Sequence, residues 1–274
     1  MADRTGQSFL EPGPLVGPFP SGAPAIFIGQ AAALGQPAGL IGAVGRDDFG
    51  QLNIDRLRRL GADVSAIATH GGHATGTAFV TYRADASRHF VFNIRNSAAG
   101  LLAIDDAARH LLADADHFHV MGSSLFSEKA TDVVLAATAA VKARGGTVSF
   151  DPNVRREIMQ DTGMSEALDR VLAQTDVFLP SGNELLLFSS AGDEQGVIAE
   201  LLGRGIACIV LKRALPAPSI TIASARSQCP DSPSRKWTRL APATASEPPS
   251  YASGCAAPHL PRRCASPTPA ARWP

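Results

Sequence analysis

Three short segments place acidic, amide or basic side chains directly after apolar runs. They are F-D-P-N-V-R at 150–155, L-P-S-G-N-E at 179–184 and V-L-K-R at 210–213. Carboxylate, amide and cationic groups are those used in phosphoryl transfer, which mainly requires positioning and charge stabilisation. Each segment also has a structural interpretation, because Asp151 and Asn153 can cap a following helix and Glu184 can be a first-turn helix acid.

Two glycine-containing segments precede them, S-G-A-P at 21–24 and G-R-D-D-F-G at 45–50. Taken alone, the second is a tight turn before a helix, and most such turns are structural. The sequence has neither G-x-x-x-x-G-K-[ST] nor G-x-G-x-x-G, so it lacks the two commonest glycine-rich phosphate loops. No single motif therefore decides the function.

The elements that must position these residues alternate along the chain from about residue 24 to 212. Apolar β-rich runs predict strands at 38–44, 117–121, 147–150, 176–179 and 207–212, and amphipathic patterns predict helices at 47–60, 104–112, 128–143, 165–173 and 194–202. This order predicts an α/β fold with a mostly parallel sheet that helices cover on both faces.

One segment, 76–95, interrupts this alternation. Residues 77–82 and 88–94 show the period-2 pattern of strands around an A-D-A-S turn, with no helix between them. This pattern predicts a β-hairpin. Such a hairpin can form a lid or an oligomer edge, or it can be a plain antiparallel extension of the sheet.

Together and in this order, residues 8–213 resemble the PfkB (ribokinase-like) carbohydrate kinases. S-G-A-P with G-R-D-D-F-G resembles the first signature of the family, F-D-P-N-V-R its D-x-N-x-R segment and L-P-S-G-N-E its N-x-x-E motif. The F-P-S-G-A-P entry and the F-N-I-R strand are most similar to a tagatose- or fructose-type ketose kinase. The resemblance implies a ribokinase-like fold with a small β lid.

The resemblance also implies a site, with ATP and Mg²⁺ as cofactors, a small sugar as substrate and a homodimer through the lid. Glu184 would organise the magnesium ion and Lys212 would lie near the nucleotide loop. The implied sugar-binding residues are Gly22, Ala23, Asp47, Arg95 and Arg155.

Some positions depart from the family pattern. Ser21 replaces the first glycine of a pair, Ile26 replaces an asparagine, and Ser181 replaces the asparagine of N-x-x-E. The opening strand of the family, which carries an acidic sugar ligand, has no counterpart before Met1. We interpret this as translation from an internal methionine.

The composition changes after Arg213. Residues 1–213 carry 18 Lys+Arg and 23 Asp+Glu, whereas residues 214–274 carry seven and two, with 12 of the 20 prolines and neither valine nor phenylalanine. A segment of this kind cannot bury enough apolar surface to offset its ordering entropy, so we predict a disordered tail over 214–274. The domain would then be 1–213, with the C-terminal part of the fold missing.

The catalytic signature of the family, approximately D-T-x-G-A-G-D-x-F, is absent from all 274 residues. A second reading frame can contain it. Residues 236–251 can be back-translated so that reading from the third base of each codon gives V-D-P-T-G-A-G-D-C-F-G-A-A-F-V. We infer a frameshift at about Arg213. The catalytic aspartate would straddle the codons of Ala243 and Thr244, so no catalytic residue is present.

Other functional classes find little support. Cysteine spacing predicts neither a disulfide framework nor a zinc site, and no apolar run is long enough to cross a membrane. The basic tail lacks the fold and aromatic platform of a nucleic-acid-binding module. We predict a cytoplasmic sugar kinase by descent that is inactive as written. A non-catalytic sugar-binding or regulatory remnant is the alternative, and the missing glycine-rich turn argues against an oxidoreductase.

Overall fold

Strands and helices alternate through the part of the chain that the computed structural model describes, which is residues 1, 5–85, 87–154, 162–213 and 219–224. The strands are β1 Gly42–Gly45, β2 Ile67–His70, β3 Thr77–Tyr82, β4 Arg88–Asn93, β5 His117–Met121, β6 Thr147–Asp151, β7 Val177–Phe178, β8 Cys208–Arg213 and β9 Ser219–Ser224. The helices are α1 Ala23–Ala33, α2 Asp48–Arg59, α3 Asp106–Ala113, α4 Glu128–Lys142, α5 Thr162–Leu172, α6 Gly182–Leu185 and α7 Glu194–Gly203.

The largest sheet has five strands in the order β5-β6-β7-β8-β9. The first four run parallel, with His117 opposite Thr147 and Val177 opposite Cys208, and only β9 runs antiparallel to β8. Parallel neighbours need crossover connections, and helices supply them between β5 and β8. The predicted α/β fold with a mostly parallel sheet is confirmed.

Two smaller sheets complete the described strands. β1 and β2 pair in parallel, and β3 and β4 form an antiparallel hairpin in which Thr77 pairs with Asn93 and Tyr82 with Arg88. The hairpin forms a two-stranded sheet of its own. The predicted hairpin is therefore confirmed, and it is not an extension of the five-stranded sheet.

The main core lies on one face of the five-stranded sheet. Alternate side chains of the parallel strands point to this face and are fully or almost fully buried against α4, α5, α6 and α7. They are Val120, Val148, Phe150, Phe178, Ile209 and Leu211. Burial of a large apolar side chain stabilises the fold by about 1.5–3 kcal/mol, so this layer holds the strand ends in place.

The opposite face carries polar side chains near β5. His119 stacks on Phe27 of α1 with ring centroids 3.5 Å apart, and its Nδ1 lies 2.7 Å from Oγ of Ser149. Burial lowers the pKa of His119 to about 4, with smaller contributions from His117 and Lys212. A neutral ring in an aromatic stack indicates a structural histidine.

Two strands differ from the sequence-based expectations. β2 was not predicted, because I-A-T-H is short and has no strict alternation. β9 falls within the predicted tail, so the prediction of disorder is wrong for 219–224. The composition of the whole tail obscures the local pattern, in which Ile220, Thr221 and Ile222 favour a strand. The remaining tail residues, 214–218 and 225–274, lie outside the described residues.

Among the described residues, no helix combines the length and the apolar character that crossing a membrane requires.

Candidate functional site

Three charged residues from the motif segments lie at or near the carboxyl ends of the parallel strands. Asp151 is the last residue of β6, Lys212 lies near the end of β8, and Glu184 belongs to the short helix that follows β7. Parallel strands end at a common edge, where α/β proteins usually bind ligands. The structure therefore brings together three charged side chains that are far apart in sequence.

An ion pair joins the ends of β6 and β8. Nζ of Lys212 lies 2.5 Å from Oδ2 of Asp151, although the two residues are 61 positions apart. The Asp151 side chain is 17% exposed and that of Lys212 is 39% exposed. Burial raises the pKa of Asp151; the hydrogen bond and charge of Lys212 oppose this rise, and Glu184 adds to it. Lys212 therefore stabilises a carboxylate that its surroundings disfavour.

The segment after β6 makes a tight turn beside β5. The Asn153 amide donates to Oδ1 of Asp151 at 3.1 Å, and its side-chain amide lies 3.4 Å from Oγ of Ser123. Asn153 has a φ of 41°, a conformation that asparagine tolerates better than most residues. A side chain at Gly122 would place its Cβ 2.1 Å from the Pro152 carbonyl oxygen, so this approach requires glycine.

Both oxygens of Glu184 accept backbone hydrogen bonds. Oε1 accepts from the Val154 amide at 2.7 Å, and Oε2 accepts from the Ser181 amide at 2.7 Å. With Ser181, Glu184 forms a capping box at the start of α6. The carboxylate therefore ties the turn after β6 to the turn after β7, which agrees with its interpretation as a first-turn helix acid.

The remaining predicted residues occupy other elements. Gly22, with a φ of 97°, is the N-cap of α1, and Ala23 is the first residue of that helix. Asp47 caps α2, and Arg95 is exposed just after β4. Arg155, Ala243 and Thr244 lie outside the described residues.

The described residues offer few free ligands for magnesium or for a nucleotide phosphate. No group of three or more His, Cys, Asp or Glu side chains among them could hold a metal ion. Glu184, the predicted magnesium residue, already accepts two backbone N–H groups. Of the predicted nucleotide contacts, Lys212 supplies a cation, but it is paired with Asp151.

Sequence reasoning identified Asp151 within a motif but did not include it among the site residues. The signal was available, since D-x-N directly follows a buried strand. Ser123 could not have been found, because its contact with Asn153 depends on the pairing of β5 with β6.

Replacing Lys212 with methionine tests the ion pair. We expect the free energy of unfolding to fall by roughly 1–2 kcal/mol, because Asp151 stays buried without its cation. Urea denaturation gives the value. The matched control is R58M, which removes a more exposed pair with Asp55 and should cost less than about 0.5 kcal/mol. The double variant D151N/K212M should recover part of the loss; an equal cost for K212M and R58M would show that the pair contributes nothing specific.

The chain is similar in sequence to known fructokinases. The chain is 36% identical over 186 residues to a fructokinase of Salmonella typhimurium, which covers 68% of this chain and 60% of the relative. The chain thus spans less than two thirds of the length of that fructokinase.

The chain is also similar in fold to solved structures. A ribokinase II of E. coli in its apo form has a TM-score of 0.77 and 45% identity, covering 82% of this chain and 71% of that one. The same E. coli protein in complex with ATP and Mg²⁺ has a TM-score of 0.76 at the same identity and coverage. These similarities confirm the ribokinase-like fold. The model of the pfkB family of carbohydrate kinases matches residues 19–214. The chain belongs to the pfkB family of carbohydrate kinases.

Proposed function

We propose that this chain descends from an ATP-dependent ketose kinase and does not catalyse phosphoryl transfer in its present form. The observation that carries the proposal is the absence of the D-T-x-G-A-G-D-x-F signature from all 274 residues of a family member. In the family, the aspartate of G-A-G-D accepts the hydroxyl proton of the sugar. The backbone N–H groups of G-A-G would stabilise the developing negative charge.

The ancestral cofactors in this proposal are ATP and Mg²⁺. Support comes from the E. coli ribokinase II complex, which contains both. Lys212 would face the nucleotide, and Glu184 would orient waters of the magnesium ion through the lone pairs its backbone contacts leave free. These two residues position ligands but supply no proton acceptor at the sugar hydroxyl.

The proposed substrate is a ketose such as fructose or tagatose. Sequence similarity to fructokinases supports the substrate class. The proposed sugar contacts are Gly22 and Ala23 at the start of α1, together with Arg95 and Arg155. Of these, Arg95 is the cation that follows the hairpin directly.

Calorimetric titration with fructose tests the residual sugar site. We expect R95A to weaken fructose binding by about tenfold, the effect of losing one charge-assisted hydrogen bond. The matched control is R83A, which removes an exposed arginine at the tip of the same hairpin and should leave the affinity unchanged. Absence of binding to the unmodified chain, or equal effects of the two variants, would contradict the assigned sugar site.

A homodimer through the hairpin is part of the proposal. Phe79 and Val91 pair across the hairpin on one face and are 42% and 46% exposed, so the hairpin retains an apolar surface. Sedimentation velocity should show a dimer that V91E dissociates; a monomer at all concentrations would contradict it. A cytoplasmic location and the absence of nucleic-acid and membrane partners remain predictions.

The alternative is a sugar-binding or regulatory protein without catalysis. Ser21, Ile26 and Ser181, which depart from the family pattern, are compatible with a loss of catalysis. It predicts sugar binding without turnover even after the signature is restored, whereas kinase descent predicts turnover.

A further inference from the structure

The carboxylate of Asp47, which is half-buried, accepts three hydrogen bonds from neighbouring residues. Oδ1 accepts hydrogen bonds from the Gly50 amide at 2.9 Å and from Oγ1 of Thr75 at 2.7 Å, and Oδ2 accepts one from the Thr75 amide at 2.7 Å. Oγ1 of Thr75 in turn accepts from the Gly45 amide at 2.9 Å. One carboxylate and one hydroxyl thus join the end of β1, the start of α2 and the residue two positions before β3.

The glycines of the G-R-D-D-F-G turn make room for this network. A Cβ at Gly45 would lie 2.5 Å from Oδ2 of Asp47 and 2.6 Å from the Thr75 nitrogen. A Cβ at Gly50 would lie 2.3 Å from the Gly45 carbonyl oxygen and 2.9 Å from Oγ1 of Thr75. Both glycines are buried. The spacing of the motif is therefore explained by close packing around Asp47 and Thr75.

Thr75 lies at the root of the hairpin. It immediately precedes Gly76 and β3, and the Ala98 amide, which follows β4, donates to the Ala74 carbonyl at 2.8 Å. Thr75 itself is only 5% exposed. The two ends of the hairpin are thus hydrogen-bonded to each other next to Thr75, the residue that donates to Asp47.

We propose that Asp47 is a positioning residue that fixes the root of the hairpin through Thr75, rather than a sugar ligand. This proposal rests on the proposed function only where it treats the hairpin as a lid. Ionised Asp47 is the form that the network requires, and the hydrogen bonds from Thr75 are the main cause that lowers its pKa. Fixing the root limits the directions in which the strands can move, which is what a lid needs to close reproducibly.

Hydrogen exchange of the full chain tests this proposal. In T75V and D47N we expect the amides of 77–82 and 88–93 to exchange roughly tenfold faster or more, as expected when a hydrogen bond worth about 1.4 kcal/mol is lost. Amides of β6 and β8 should exchange as before. T75S keeps the hydroxyl, so its hairpin amides should exchange at the rate of the unmodified chain. If the bulk of the side chain were what mattered, T75S would exchange faster.

The matched control is T131V, which removes another buried threonine hydroxyl, in α4, and should leave hairpin exchange unchanged. Unchanged hairpin exchange in both T75V and D47N would overturn the proposal. So would loss of fructose binding in D47N with normal hairpin exchange, because Asp47 would then act as a sugar ligand. Failure of the chain to bind any sugar would contradict the proposed function but leave the exchange result as a valid test of the root.

Discussion

Purified as written, the chain is expected to produce no sugar phosphate from ATP and fructose or tagatose above background. The G-A-G-D segment, which supplies the base and the anion hole in the proposed function, is absent from these 274 residues. Loss of a general base costs about 10²–10⁴ in rate, and loss of an oxyanion donor costs about 10²–10³. Together they predict a rate at least roughly 10⁴-fold below that of an intact enzyme.

The measurement is sugar-dependent ADP release, with mass spectrometry of the sugar product. The control is K212M, which removes the lysine proposed to face the nucleotide. Turnover by the unmodified chain that K212M reduces would contradict the proposed inactivity, because a contaminating kinase would not respond to this substitution.

Replacing the residues after Arg213 with those of the alternative frame is expected to produce the opposite result. The replacement begins A-A-G-S-I-H-Y-D and continues through V-D-P-T-G-A-G-D-C-F. Because the family resemblance implies an opening strand with an acidic sugar ligand, such a strand is added to the repaired chain. We expect ATP-dependent phosphorylation of a ketose, raised by roughly 10⁴-fold or more over the original chain.

The matched control changes the aspartate of the restored G-A-G-D to asparagine. It should abolish turnover without altering thermal unfolding, because the amide keeps the shape of the side chain but cannot accept the proton. A repaired chain that folds and binds ATP yet phosphorylates no sugar would support the non-catalytic alternative instead.

Much of this fold could be predicted from the sequence, because local patterns carry the information. The apolar runs at 117–121 and 147–150 predicted β5 and β6, and the alternation around A-D-A-S predicted the hairpin. Asp47 was expected in the first turn of a helix, and it caps α2. These features depend on residues that are neighbours in the chain.

The contacts that define the site could not be predicted in the same way. The pairing of Lys212 with Asp151 depends on β7 ending early enough for a side chain of β8 to reach β6. The role of Thr75 depends on the chain folding so that Thr75 contacts Asp47, which lies 28 positions earlier in the sequence. Family resemblance implied that Asp47 binds the sugar, whereas its hydrogen bonds favour a role in fixing the root of the hairpin. Motif positions therefore indicate where a site lies more reliably than what each residue does there.

The coding DNA across residues 236–251 tests the central claim most directly. For the alternative frame to encode G-A-G-D, the codons of Leu240, Ala241, Pro242 and Ala243 must each end in guanine, since their following bases already fix the rest of each shifted codon. We predict guanine at all of these positions and no stop codon in that frame between Arg213 and Tyr251. Any other base at the Ala243 codon would replace the aspartate, and the claim of a displaced catalytic motif would be contradicted.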